Sequence, residues 1–283
     1  MSLINPNPTL QNYYASLESR IGYKLFLSDT RHYGYYDSET SFPLPIGKAL
    51  RRMEEQLFLG LRCGPGSRVL DAGCGVGHVA IYMAKNGKYR IDAIDVVARH
   101  AEKARRNIAA AGLQDSISAK QGDYHHLSEY EDNSFDGIYT METLVHSTDP
   151  LHVLQEFHRI LKPGGRLAMN EYDHDDLDKA PKDLAEAMRN VNKYAAMPAN
   201  ASFDRDALPK LVKQAGFEDV KLDDLSKHIW PMLWLFYIFA IIPYTIFKLL
   251  GIEHHFVNTM AGVEAWRGRE MWRYTQVTAE KRG

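Results

Sequence analysis

A doubly wound α/β fold with a mostly parallel sheet is what this sequence predicts, on three observations. From about residue 67 onward, short β-prone apolar runs alternate with segments of helical period. The first of these runs leads into a glycine-rich turn that opens a helix, RVLDAGCGVGHVAIYMAKNG over 68–87. The second ends in a lone acid, Asp95, twenty-four residues beyond Asp71.

Val69 and Leu70 begin the first strand and Asp71 follows them. Gly73, Gly75 and Gly77 alternate after it, and His78 to Ala84 has the apolar period of a helix. Strand, glycine turn and helix in that order bring backbone N–H groups close to a ligand at a helix N-terminus. Glycine is needed there because a Cβ would block the approach or the positive φ angles. The run YRIDAIDVV predicts a second strand with Asp95 at its carboxyl end, followed by a helix over Val96 to Ala110. SISAKQGD predicts a third strand ending at Asp123, and NSFDGIYTMETLVH a fourth over Gly137 to Met141. LHVLQEFHRILKPGGRLAMNEY supplies a helix, a turn at Pro163-Gly164-Gly165, and a fifth strand through Glu171.

Composition bounds what such a sheet serves. The 283 residues are 25% charged and 45% hydrophobic with a formal net charge of −2, so the basic field of a nucleic-acid binder is missing. Cys63 and Cys74 are too few for a disulfide framework and suit a reducing compartment. The start, MSLINPNPTLQNYY, lacks the apolar core of a secretory signal, and the expected address is the cytosol.

The glycine spacing discriminates between cofactors. Dinucleotide enzymes use G-x-G-x-x-G, whereas this turn reads G-x-G-x-G behind an acid and points to S-adenosylmethionine. The cofactor residues expected on that basis are Asp71, Gly73, Cys74, Gly75, Gly77, Asp95, Val96, Gly122, Asp123, Tyr124, Met141 and Glu142. Asp95 would accept both ribose hydroxyls, or serve only as a cap for the next helix. Asp123 is placed to accept from an adenine amino group.

In order along the chain, LDAGCGVGH, Asp95, Gly122-Asp123, NSFDGIY and LKPGG resemble a class I S-adenosylmethionine-dependent methyltransferase, over about Ser67 to Leu225. METLVHSTD, NEYDHDD and LLGIEHHFVNTMAGVEAWRGREMW are similar to the sterol C-methyltransferases and their fungal small-molecule relatives. The resemblance implies a Rossmann-like, mostly parallel seven-stranded sheet with helices on both faces, and methyl transfer to a small lipophilic acceptor. It departs near the N-terminus. RHYGYYDSETSFPLP keeps Tyr33, Gly34, Tyr35 and Phe42 of the sterol enzymes' aromatic signature but lacks its tryptophan.

Ile229 to Phe247, IWPMLWLFYIFAIIPYTIF, holds nineteen residues without a charge and has the length of a membrane span. Pro231 and Pro243 divide it, leaving eleven residues between them, too few to cross as one unbroken helix. FEDVKLDDL (217–225) and MWRYTQVTAEK (271–281) resemble the sixth and seventh strands of the methyltransferase sheet, which pair antiparallel, so both lie on one side of any bilayer. The run is therefore expected to leave the sheet and return. A lid over the acceptor, a dimer interface, a shallow membrane contact and plain buried helices all remain open for it.

Glu142 and His146 follow the fourth strand at i, i+4 spacing, on one face if the segment is helical. They are the expected catalytic pair, His146 as base or orienting donor and Glu142 as its partner, or else a local ion pair or cap. Tyr33, Tyr35, Tyr36, Phe42, His146 and Tyr172 are the expected acceptor pocket, although the N-terminal aromatics would also suit a small hydrophobic cluster. His125-His126 and His254-His255 lack zinc-like spacing, and Asp173, Asp175 and Asp176 hold only a weak claim on magnesium, so no metal is expected.

The expected organisation is an N-terminal helical and aromatic cap over 1–60, a cofactor-binding core over 61–226, an apolar helical insertion over 227–270, and a last core strand over 271–283. The expected reaction is O-methylation of a carboxylate or hydroxyl, with C-methylation of a sterol or terpenoid as alternative. A non-catalytic S-adenosylmethionine-binding partner protein is the alternative from another class. The expected partner is a small molecule rather than nucleic acid. No transmembrane span is expected, while peripheral membrane contact and a homodimer stay open.

Overall fold

The computed structural model describes residues 7–27, 29–37, 40 and 42–283. Its strands are β1 Arg68–Ala72, β2 Arg90–Asp95, β3 Ile117–Gln121, β4 Phe135–Met141, β5 Leu161–His174, β6 Glu218–Asp224 and β7 Trp272–Glu280. They form one sheet in the order β3-β2-β1-β4-β5-β7-β6, in which β7 alone runs antiparallel to its neighbours. Chain order reverses between β1 and β4. At such a switch point the loops at the strands' carboxyl ends part and leave a crevice for a ligand.

Helices cover both faces. They are α1 Pro8–Ala15, α2 Leu17–Leu27, α3 Ile46–Leu61, α4 His78–Gly87, α5 Ala98–Ala110, α6 Pro150–Ile160, α7 Lys182–Tyr194, α8 Ala207–Gln214, α9 Ser226–Leu249 and α10 Val257–Arg267. The alternation of strand side chains divides the core. Val69 and Ala168 pack with Met53, Leu57 and Leu61 of α3, Met83 of α4 and Ile108 of α5. Their neighbours Leu70, Leu167 and Met169 face Val153, Leu154 and Phe157 of α6 and Leu208 and Val212 of α8. The 3–4 spacing of the α3 and α6 apolar residues makes this packing available. Asp149 caps α6, accepting from the His152 N–H at 3.0 Å just before Pro150.

Two local expectations are revised. Pro163-Gly164-Gly165 lies within β5, where pairing jumps from Phe135–Leu161 to Gly137–Arg166, so the turn is a bulge. β5 also runs three residues past Glu171, because β7 pairs with it as far as His174–Trp272.

The larger revision concerns the apolar run. It is one continuous helix, α9, with Pro231 and Pro243 inside it. Each proline removes one backbone hydrogen bond, and packing holds the helix through both. Ile229 and Leu233 enter the main core, and Gly262 of α10 lies against Phe236 and Ala240, close enough that a Cβ there would touch them. Among the described residues α9 is long and apolar enough to cross a membrane, by length and composition. Its neighbours in the chain are strands of one sheet. β6 ends two residues before it, and β7, which follows α10, pairs antiparallel with β6. Trp234, Ile238, Ile242, Ile246 and Leu250 repeat every four residues and form an exposed apolar stripe along its outer side.

Candidate active site

The glycine turn closes around β1 and β2. The Gly73 and Cys74 N–H groups both donate to the Ile94 carbonyl at 2.9 Å. Gly73 has φ +102°, and a Cβ there would stand 2.5 Å from Thr143 Cγ2. Asp95 reaches back over the turn, its Oδ2 accepting from the Gly75 N–H and its Oδ1 from the Val97 N–H, each at 2.8 Å. It thus ties the turn to the start of α5 while standing in the cleft. Burial pushes the Asp95 carboxyl up, but His100 beside it, the Val97 N–H and Arg31 outweigh burial and hold it below the usual carboxylate range.

A narrow cleft of about 90 Å³ runs along this turn. It gathers Asp71, Gly73, Cys74, Gly75, Asp95, Val96, Gly122, Asp123, Tyr124, Met141 and Glu142 of the expected cofactor set, whereas Gly77 caps α4 behind it. Asp71 is buried and accepts from the Tyr139 hydroxyl at 2.9 Å, and burial lifts its pKa to about 8. Asp123 is oriented by a group that spacing did not single out for this role. His125 Nδ1 meets Asp123 Oδ1 at 2.7 Å, and His125 Nε2 meets the buried Ser147 hydroxyl at 2.9 Å.

A second, wider cavity of about 820 Å³ adjoins the cleft. Tyr14, Arg31, His32, Glu142 and His146 line both spaces and form the seam between them. The Glu142–His146 segment is not an α-helix. Glu142 sits at φ +57°, in the left-handed region, and Leu144–His146 is a single 3-10 turn. The two side chains therefore diverge instead of pairing. Glu142 Oε1 accepts from the Tyr33 N–H and the Tyr274 hydroxyl, both at 2.8 Å, and its Oε2 accepts from the Tyr172 hydroxyl. Burial raises its pKa against the opposing pull of His32 and these donors. His146 Nδ1 faces the Ala196 carbonyl at 2.8 Å, which makes Nε2 the acceptor for the Tyr14 hydroxyl at 3.2 Å. Burial lowers its pKa, so the ring is neutral at pH 7.

Of the expected acceptor residues, Tyr33, Tyr172 and His146 line the wide cavity. Tyr35, Tyr36 and Phe42 do not. Tyr35 stacks on His228 at 4.1 Å, Tyr36 is buried with its hydroxyl on the Pro43 carbonyl, and Phe42 is 57% exposed. Phe236, Phe239, Ala240 and Pro243 of α9 supply one apolar wall, and Met188 and Val191 of α7 supply another. Asp173 is salt-bridged to Arg273, Asp175 to Arg205 and Asp176 to Lys179, and no cluster able to hold a metal occurs among the described residues.

Glu171 of β5 organises the seam from behind. Its Oε1 accepts from the Thr143 and Leu144 N–H groups at 2.9 and 2.6 Å, while Oε2 is buried without a partner. Burial lifts its pKa to about 8. For Asp71 and Glu171 alike, the folded chain keeps a proton that the unfolded chain loses near pH 4. Stability is therefore expected to fall as pH rises toward 8, by at most about 1.4 kcal/mol per pH unit for each group. His100 and His146, which burial holds below the usual histidine range, do not titrate over this interval. Calorimetry should then find a lower Tm at pH 8.5 than at pH 7, with a smaller drop in Glu171→Gln. A Tm that rises over this interval would contradict the assignment.

Comparison with known proteins follows the same lines. Residues 64–223 match a family described as a methyltransferase domain. The chain is 41% identical over 276 residues to the S-adenosyl-L-methionine-dependent Diels-Alderase iccD of Talaromyces variabilis, covering 96% of this chain and 94% of that protein. It is 40% identical over 226 residues to the S-adenosyl-L-methionine-dependent Diels-Alderase iliD of Neonectria sp. (strain DH2), covering 77% and 86%. Among solved structures, the [4+2]-cyclase SpnF superposes with a TM-score of 0.71 at 21% identity, over 89% of this chain and 87% of that one, a likeness of fold.

Proposed function

The chain belongs to the S-adenosylmethionine-dependent methyltransferase family, and from that premise we propose that its reaction is an intramolecular [4+2] cycloaddition of a lipophilic polyene. In this step the diene and the alkene of one chain form two carbon–carbon σ bonds. Three π bonds become one, and no atom or proton enters or leaves. The observation that carries the reading is the state of Glu142. The one carboxyl group at the seam already accepts from three donors of the chain itself, an arrangement suited to a reaction that asks for no base. The Diels-Alderase relatives, one of them matched along nearly the whole chain, support it.

The cleft fits S-adenosylmethionine. Gly73 leaves no room for a side chain, Asp95 offers a carboxylate for the ribose hydroxyls and Asp123 one for the adenine amino group, and Val96 offers an apolar surface. When bound, the cofactor supplies a positive charge and, in the second reading below, a methyl group. The chain's own residues do the rest. Tyr33, Tyr172, Trp272 and Phe236 form an aromatic wall that binds a folded polyene and excludes water. Holding diene and alkene about 3–3.5 Å apart lowers the barrier by removing the entropy of folding the chain. The Glu142 network fixes the rings of Tyr172 and Tyr274, and thereby the shape of that wall.

A second reading, O-methylation of a hydroxyl or carboxylate, is favoured by His146. Its neutral imidazole accepts from the Tyr14 hydroxyl at the seam, and a substrate alcohol that takes the place of that hydroxyl meets the one nitrogen able to receive its proton. One experiment separates the two. The chain is incubated with S-adenosylmethionine and a 1,7,9-decatrien-3-one carrying a terminal carboxyl group, which offers both a ring closure and an oxygen acceptor. Cycloaddition gives a bicyclic isomer of unchanged mass, faster than without protein, and leaves the cofactor intact. Product heavier by one methylene, with matching S-adenosylhomocysteine, would establish methyl transfer instead.

A further inference from the structure

The outer face of α9 is uncovered, and the mouth of the wide cavity opens beside it. Of α9's most apolar stretch 22% is buried, too little for a helix that belongs to a core. Trp234, Ile238, Ile242, Ile246 and Leu250 stand in line along that face, and Leu249 adds to it. Ile242 is 70% and Leu249 83% exposed. Contiguous apolar surface of this kind marks a place that something covers. Three of the described residues that line the wide cavity are exposed, namely Ile21 of α2, Phe239 of α9 and His255. The cavity therefore opens between α2 and the C-terminal half of α9. Phe239 belongs to both features, since it follows Ile238 directly and precedes Ile242 by three residues.

Charge indicates what covers the face. α9 contains no Asp or Glu, and its two lysines, Lys227 and Lys248, are exposed at opposite ends of the apolar stretch. Lys24, also exposed, lies three residues beyond Ile21 on the other lip of the mouth. The whole chain carries a net charge of −2, so these cations are a local feature. Apolar side chains flanked by lysines suit an anionic lipid surface. The apolar groups enter the acyl boundary, and the long lysine stems keep their ammonium groups among the phosphates. A second copy laid on the same stripe would set lysine against lysine at both ends, whichever way the helices ran, and would cover the mouth. A crossing of the bilayer is ruled out by β6 and β7, which flank α9 and α10 in the chain and pair with each other in one sheet. α9 must then lie along the surface.

We propose that α9 docks in the plane of an anionic lipid surface, with Ile21 and the mouth of the wide cavity turned to the lipid. A lipophilic molecule dissolved among the acyl chains then reaches the cavity past Phe239 without crossing water. The proposal goes beyond the reading of the reaction, and it holds whether ring closure or methyl transfer follows.

The test is flotation of the full chain with vesicles of phosphatidylcholine, either pure or with about 30% phosphatidylserine, and with no other ligand present. The chain is expected to float with the anionic vesicles, bound at least about five-fold more strongly than to the neutral ones. Ile242→Glu/Leu249→Glu should lower that binding about ten-fold or more, because two of the most exposed apolar side chains become charged. Tm and cofactor affinity should be unchanged in that variant, which shows that it is folded. Lys227→Gln/Lys248→Gln leaves the stripe intact and should bring the preference for anionic vesicles close to one-fold. Ile21→Glu should also weaken binding, and a loss confined to the α9 variants would turn the mouth away from the lipid and overturn the proposal. Binding to neither kind of vesicle, or to both equally, overturns it as well. So does a dimer, seen by sedimentation without vesicles, that Ile242→Glu/Leu249→Glu converts to monomers while the unaltered chain stays off the lipid. Methylated product in the ring-closure assay would leave the flotation result standing, so the two readings fail separately.

Discussion

Glu142→Ala is expected to cost about 3–5 kcal/mol of stability, a large share of what holds a domain together. The change removes the acceptor of the Tyr33 N–H and the Tyr172 and Tyr274 hydroxyls in one step; Tyr274 is fully buried, while Tyr33 and Tyr172 are half-buried and line the wide cavity. The loss of each partner costs about 1–3 kcal/mol, and the three share one network, so their sum overstates the total. Alanine also inherits the +57° φ without the bonds that hold glutamate there. The informative variant is Glu142→Gln, which keeps one acceptor oxygen and the shape of the side chain. If Glu142 only fixes the cavity wall, as ring closure requires, the Gln variant should keep its rate within about ten-fold. A general base lost to glutamine would cost about 10²–10⁴-fold. Denaturant unfolding of the Ala variant and turnover of the Gln variant measure the two effects. A stable, active Glu142→Ala protein would contradict this account of the seam.

The same residue shows how far the sequence reaches. Strand, glycine turn and acid are local patterns, and Gly73, Gly75, Asp95 and Asp123 stand in one cleft as their spacing leads one to expect. Glu142 and His146 also reach the site, but a helical spacing rule cannot foresee that a positive φ turns them apart. Where long-range packing decides, the pattern misleads. Two prolines ordinarily divide a helix, yet α9 runs through both because Ile229 and Leu233 anchor it in the core and α10 lies along it. Tyr35, Tyr36 and Phe42 share the aromatic character of Tyr33, and only the folded contacts show that His228 and Pro43 claim the first two. Tyr14, Arg31 and His32 come from the N-terminal segment with no motif to mark them.

Gly73→Ala is expected to weaken S-adenosylmethionine binding by about 10²-fold or more. Its Cβ would stand 2.5, 2.7 and 2.8 Å from Thr143 Cγ2, Cβ and Oγ1, closer than packed atoms approach. Thr143 has little room to retreat, because its hydroxyl donates to the Ala72 carbonyl at 2.8 Å and its N–H to Glu171 at 2.9 Å. The clash must therefore displace either the glycine turn or the 142–144 segment, and each lines the cleft. Backbone strain contributes as well, since Gly73 has φ +102°. Gly112→Ala is the control for strain remote from the cleft. Gly112 has φ +68° with nothing within 4 Å of where a Cβ would stand, and it lies just after α5, away from the cleft, so it carries strain without a clash. That variant should lose about 1 kcal/mol of stability and bind the cofactor as before. Calorimetric titration of both variants decides the matter. Equal losses of affinity would mean that general destabilisation is felt, whereas a selective loss in Gly73→Ala places the effect at the cleft, in the turn and the wall that it shares with Thr143 and the seam.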